Sequence, residues 1–173
     1  HKASGANQGG AAHLGLAGLL QASGRAPDAI PWIPAEGAAP SLQLLVSDAI
    51  DVVTTTMPEV RSLVDAGEVR TLAVMANERA PAFPDTPTVA EAIDTDWRTG
   101  AWRGIAGPAG MPDEVVDALV PALEEIVASD EFREFMAGRG FGVTWAAPDA
   151  FATYLATADA NFGAAMQAVG LAE

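Results

Sequence analysis

A chain of 173 residues, half of them hydrophobic, is long enough for one ordinary domain or for one domain and part of another. Nine basic against 23 acidic residues give a formal charge of −14, which excludes the basic stripe of a nucleic-acid binder and opposes adsorption to an anionic membrane. Cysteine is absent, so disulfides, thiolate zinc sites and cysteine nucleophiles are removed together, and no apolar run approaches the roughly 18 residues needed to span a bilayer.

The chain opens His1-Lys2-Ala3-Ser4 with no initiator methionine or signal peptide, and reads as the continuation of a longer protein. A Gly-rich loop, Gly5 to Gly10, leads into a helix expected from Gly9 or Gly10 to Ala22, which Gly24 closes. Ile30 to Ile33 reads as a short strand between prolines. Ala38 to Val46 reads as a helix, and the β-branched run Ile50 to Thr54 as a buried strand. A helix over Pro58 to Ala66, a strand over Arg70 to Met75 and a stiff connection through Pro81, Pro84 and Pro87 follow. Val89 to Ile93 suits a short helix. The β-α-β-α-β rhythm argues for a mainly parallel sheet covered by helices.

The second part begins with an expected strand over Trp97 to Gly107. Pro112, Asp113 and Glu114 then open a helix whose acids suit its positive end, and Pro121 predicts a kink or break inside it. A helix over Asp130 to Arg139, a strand over Phe141 to Trp145 and a long amphipathic helix over Pro148 to Val169 complete the chain.

Two constellations point to ligand chemistry. A Gly-rich loop at a helix start offers free N–H groups and the positive end of the helix dipole, which suit an anion. It is not a Walker A loop, because no Lys-Ser/Thr pair follows Gly10, and its glycine spacing is not a dinucleotide fingerprint. Thr54, Thr55 and Thr56 end a strand, where open parallel sheets bind ligands. Threonine's strand preference explains them equally well. His13 has no partner at metal-ligand spacing and reads as a packed or capping histidine. Ser4 lacks the setting of an elbow nucleophile. Arg103 reads as one half of a structural ion pair, and Glu124-Glu125 as a solvated face.

Taken in order, five segments resemble the periplasmic solute receptors of tripartite tricarboxylate transporters, the TctC and Bug-type group. SGANQGGAAHL is similar to the family's Gly-rich loop ending in His-Leu. IPWIPAEGAAPSLQLLVSDAIDVV resembles its aromatic strand, Gly-Ala-rich helix and Gly-x-Val-Asp turn, with Asp48 where the family usually has glycine. RSLVDAGEVRTLAVMANER, FPDTPTVAEA and WRGIAGPAGMPDEVVDAL resemble its next three conserved runs.

The resemblance implies an α/β, type II periplasmic-binding-protein fold, with one nearly complete lobe of mixed sheet flanked by helices. Residues 1–97 would be the second, ligand-binding lobe. Residues 98–173 would cross over and complete the first lobe, whose front part the sequence does not include. It implies a non-catalytic receptor without cofactor or metal, located in the periplasm or otherwise outside the cytoplasm. The ligand would be a small organic di- or tricarboxylate, passed to the membrane components of the transporter, with no nucleic acid involved. Carried over by motif, the contacts would come from Asn7, Gln8, Gly9, Gly10, Ala11, Thr54, Thr55 and Thr56. A homodimer of the chain is a further expectation, because its C-terminal helices are apolar. Two alternatives share the fold. The effector domain of a LysR-type transcription regulator would need an upstream helix-turn-helix. A hydroxymethylbilane-synthase-like transferase would need a cysteine that is absent.

Overall fold

The computed structural model describes residues 1–172. The fold is built around a small parallel sheet. Strand β1 (Ala3–Ser4) pairs in parallel with β2 (Val52–Val53), Ala3 opposite Val52 and Ser4 opposite Val53. On its other edge Ala3 bridges Trp32, donating its N–H to Pro31 O and accepting from Ile33 N. Every pairing among the described residues is parallel, and helices connect the segments that pair with Ala3 and Ser4.

Helix α1 (Ala11–Ala22) follows β1, and its Leu16 and Leu20 pack with Ala3 into the core, flanked by Ile30, Trp32 and Val52. Helices α2 (Ala38–Val46) and α3 (Met57–Asp65) flank the other edge. A buried hydroxyl cluster fastens α2 to the sheet. Ser4 Oγ donates to Ile33 O and lies 2.9 Å from Ser41 Oγ, both serines being fully buried. Helix α4 (Val89–Ile93) ends the first part.

Trp97 then locks onto α1. Its indole N–H donates to Gly15 O at 2.9 Å, and its ring fills the space where any β-carbon on Gly18 would lie. Beyond it come α5 (Asp113–Ala128), α6 (Asp130–Gly138) and α7 (Pro148–Ala168). Helix α7 returns to pack on α1 and buries Ala165. Helices α5 and α6 pack on each other without a single buried residue, and Leu119, Ile126 and Phe135 are exposed.

All seven helices fall where the sequence placed them, but most of the expected strands do not form ladders. Ile30–Ile33 is reduced to the bridge at Trp32, because Pro31 and Pro34 cannot donate to a longer one. Arg70–Met75 is reduced to a bridge between Val74 and Thr88. The segments 97–107 and 141–145 are irregular, with no ladder partner among the described residues. The break expected at Pro121 does not occur, and α5 runs through it. The bond Pro121 cannot make would have gone to the carbonyl of Asp117, an exposed residue that water can satisfy.

Candidate ligand site

The register of β1 on β2 places two strand-to-helix turns side by side. One is the loop Gly5–Gly10 before α1, and the other is Thr54–Thr56 before α3. Thr54 N–H donates to Ser4 O at 2.9 Å, continuing the ladder. Gly5 is buried directly against Thr54 O, Ala12 and the Trp32 ring, so a larger residue there would push the two turns apart. The two groups predicted from sequence, residues 7–11 and 54–56, therefore share one edge of the sheet, at the carboxyl ends of its strands.

The first turn leads into the positive end of α1. Asn7 O accepts from Gly10 N, folding the loop back, and Gly9 takes a positive φ of 78°. Asn7, Gln8 and Ala11 are exposed, and Gly9 and Gly10 half-buried. Gly10 caps α1 without any side-chain bond, and the first turn of α1 contains no acid. The first N–H groups of a helix have no partners within it. At α1 no carboxylate among the described residues takes them.

The second turn is occupied differently. Thr55 Oγ1 and Thr56 Oγ1 both donate to Glu59 Oε2, at 2.8 and 2.6 Å, and Thr56 N–H donates to the same oxygen. Burial pushes the Glu59 carboxyl up, but these bonds and the charge of Arg103 outweigh it and hold the group below its ordinary value. Two of the three threonine hydroxyls thus serve the start of α3. Thr54 brings its methyl group toward Gly15 of α1. Arg103 donates to Trp102 O and lends its charge to Glu59.

His13 and Trp32 belong to the site and were not among its predicted residues. His13 is buried, and its Nδ1 accepts the Gly9 N–H at 3.0 Å. Its ring lies 4.8 Å from that of Trp32. Burial lowers the His13 pKa, which keeps the ring neutral. The buried indole N–H of Trp32 has no hydrogen-bond partner among the described residues. The spacing Gly10-x-x-His13, a cap followed by a polar residue at the third helical position, is the signal that could have found His13.

Elsewhere, an open groove of about 870 Å³ between α2 and α3 is lined by Leu42, Val46 and Leu63, but also by Glu36, Glu59 and Glu68. Its acids disfavour an anion. No group of metal-ligating side chains is present among the described residues, and no helix is long and apolar enough to cross a membrane.

Comparison with known proteins bears on the family and the fold. Residues 3–171 match the family model described as "Tripartite tricarboxylate transporter family receptor". The UPF0065 protein in the tcbD-tcbE intergenic region of Pseudomonas sp. (strain P51) is 29% identical over 152 residues, covering 87% of this chain and 45% of that protein. Protein BugT of Bordetella pertussis is 29% identical over 141 residues, 82% of this chain and 42% of its own length. The crystal structure of a TctC solute-binding protein from Polaromonas superposes with a TM-score of 0.81 at 29% identity, over 96% of this chain and 56% of that one. The R. palustris protein Rpa4515, solved with adipate, gives 0.78 at 25% identity, over 99% and 57%. The fold is therefore that of the type II-like periplasmic binding proteins. The chain spans about half the length of the relatives it matches.

Proposed function

We propose, because this chain belongs to the tripartite tricarboxylate transporter receptor family, that it supplies one carboxylate-binding lobe of a non-catalytic extracytoplasmic solute receptor. The observation that carries this reading is the pairing of β1 with β2. It sets the acid-free N-terminus of α1 beside Thr54 at the carboxyl edge of the sheet. One carboxylate of a small di- or tricarboxylic acid would accept from the first backbone N–H groups of α1, those of residues 11–13, with Asn7, Gln8, Gly9, Gly10 and Thr54 at its rim. The other end of the ligand would meet the first lobe. The adipate seen in the R. palustris relative supports an aliphatic dicarboxylate. The captured acid would be handed to the membrane components of the transporter.

In this reading residues 1–97 form the second lobe, and residues 98–173 cross over and return. The uncovered apolar side chains of the C-terminal part, Ile105 at 75% exposure among them, favour self-association of the 173-residue chain. Light scattering checks that state, and a clean monomer would dismiss it.

The deciding experiment is a thermal-shift screen of the full-length protein against mono-, di- and tricarboxylates and aromatic acids. A ligand at a hundred times its Kd adds about 2.7 kcal/mol of stability. A di- or tricarboxylate hit supports the receptor. A flat panel overturns it, and an upstream helix-turn-helix in the full-length protein would return the regulator reading.

A further inference from the structure

The first turn of a helix decides what neutralises its positive end. Helices α3 and α4 do so with a carboxylate at the third helical position. Glu59 reaches back to Thr56 N–H and Glu91 to Thr88 N–H. Helices α5, α6 and α7 carry Asp113 and Glu114, Asp130 and Glu131, and Asp149 in their first turns. Helix α2 has none, but Glu36 directly precedes its cap Gly37.

Helix α1 departs from this pattern. Its third position is His13, and the reach-back bond goes from Gly9 N–H to Nδ1 at 3.0 Å. An imidazole that accepts at Nδ1 carries its proton on Nε2 and has no charge. The bond resembles those of Glu59 and Glu91 but reaches one residue further back, to Gly9 before the cap Gly10, and is made without a carboxylate.

We propose that His13 is a positioning residue whose neutral ring holds the Gly-rich loop in shape while leaving the positive end of α1 to the carboxylate of the ligand. A glutamate at this position would close the loop equally well, but it would place a resident anion where the ligand's must go. The ring is fixed for the task. It is buried, tilted at 41° against the Trp32 ring with centroids 4.8 Å apart, and kept neutral by burial. The charged groups on the elements around it, Asp149 and Asp159 of α7 and Glu36 beyond Trp32, add nothing to the shift of its pKa. The inference deepens the receptor reading above and rests on it.

The test compares H13Q with H13E in the full-length protein, using adipate titrated by calorimetry and a melting curve for each variant. Both side chains can accept the Gly9 N–H, so a purely structural role predicts equal binding. We expect H13E to melt no lower than H13Q yet to bind adipate roughly fivefold or more weakly, the size of one charge at a helix end. If H13Q fails to fold, H13N takes its place as the neutral acceptor. A ratio below fivefold, or a neutral variant that falls as far as H13E, overturns the inference. Should the wild-type protein bind none of the carboxylates, the receptor reading itself falls. If it binds and the two variants match, only the role of His13 falls.

Discussion

The backbone carbonyl of Thr54 lies against Gly5 so closely that any β-carbon at Gly5 would overlap it. The same added atom would also come 2.9 Å from Ala12 Cβ and 3.1 Å from the Trp32 ring. Backbone on one side and a helix on the other leave no flexible side chain to yield. The replacement Gly5→Ala is therefore expected to cost about 1–3 kcal/mol, the range for overpacking a tight core. It should also separate the two turns of the site. Urea denaturation checks the first effect and carboxylate titration the second. A midpoint unchanged from wild type would show that the turns are not held in contact.

Trp97 joins the segment after α4 to α1 through its bond to Gly15 O and its fit over Gly18. Trp97→Phe keeps an aromatic ring but loses the N–H. The expected cost is about 1 kcal/mol, the net worth of one hydrogen bond, because Gly15 O sits inside α1 and keeps its helical bond. Trp97→Ala opens a cavity and should cost more, about 3 kcal/mol. A Trp97→Phe variant as stable as wild type, measured by denaturation, would mean that the indole bond contributes nothing, and equal stabilities of the two variants would mean the same of the ring.

His13 makes the stability of the site depend on pH in a defined direction. Burial lowers its pKa from the ordinary 6.5. Below that value the unfolded chain binds a proton that the folded chain resists. The contribution of the neutral ring is thus complete above pH 6.5 and is lost as pH falls from there through the lowered folded value. Protonation also removes the Nδ1 acceptor, which frees the Gly9 N–H. An NMR titration should place the His13 midpoint below 6.5, with exchange of the Gly9 amide rising over the same interval. A midpoint at or above 6.5 contradicts the neutral latch.

The two capping carboxylates act at lower pH. Glu91 is held down first by its hydrogen bond from Arg79 and then by the Thr88 N–H, while Glu59 resists the upward pull of burial through Thr56, Thr55 and Arg103. Both folded pKa values are depressed. Their stabilisation is present above the ordinary glutamate value and disappears as pH falls through the folded one. Glu59→Gln and Glu91→Gln should each flatten the acid limb of the stability curve and leave the slope above pH 6 unchanged. An acid limb that stays as steep in the double variant would assign it to other groups.

The helices were legible because their signals are local. Prolines, glycines and apolar spacing fixed α4 at Val89–Ile93 and α2 at Ala38–Val46 to the residue. Strands were legible only where a neighbour exists. Val52 and Val53 have one in β1, whereas the equally apolar segments 97–107 and 141–145 have none among the described residues. A β-branched run records a preference and not its partner. The site was half legible for the same reason. Loop composition marked Gly5–Gly10, the family resemblance narrowed this to residues 7–11, and strand ends marked Thr54–Thr56. That Thr55 and Thr56 turn to Glu59 follows from the Thr-x-x-Glu spacing of a helix cap, a pattern also present at Thr88 and Glu91. The meeting of Gly9 with His13 needed the fold of the loop itself.

The 173-residue chain taken alone should bind a dicarboxylate only weakly. Two or three amide bonds to a charged group and one helix end gross about 4–8 kcal/mol. Association costs at least about 4 kcal/mol, and micromolar affinity needs about 8.2 kcal/mol net. The long-range field of a chain at −14 adds opposition, though salt screens it beyond about 8 Å. The turns at residues 5–11 and 54–56 therefore support millimolar binding at best. In the proposed receptor, closure against the other lobe would provide the remainder. Calorimetry on the isolated chain and on the full-length protein with the same dicarboxylate should show a difference of a hundredfold or more. Micromolar binding by the isolated chain would place the whole site within these residues and remove the need for closure.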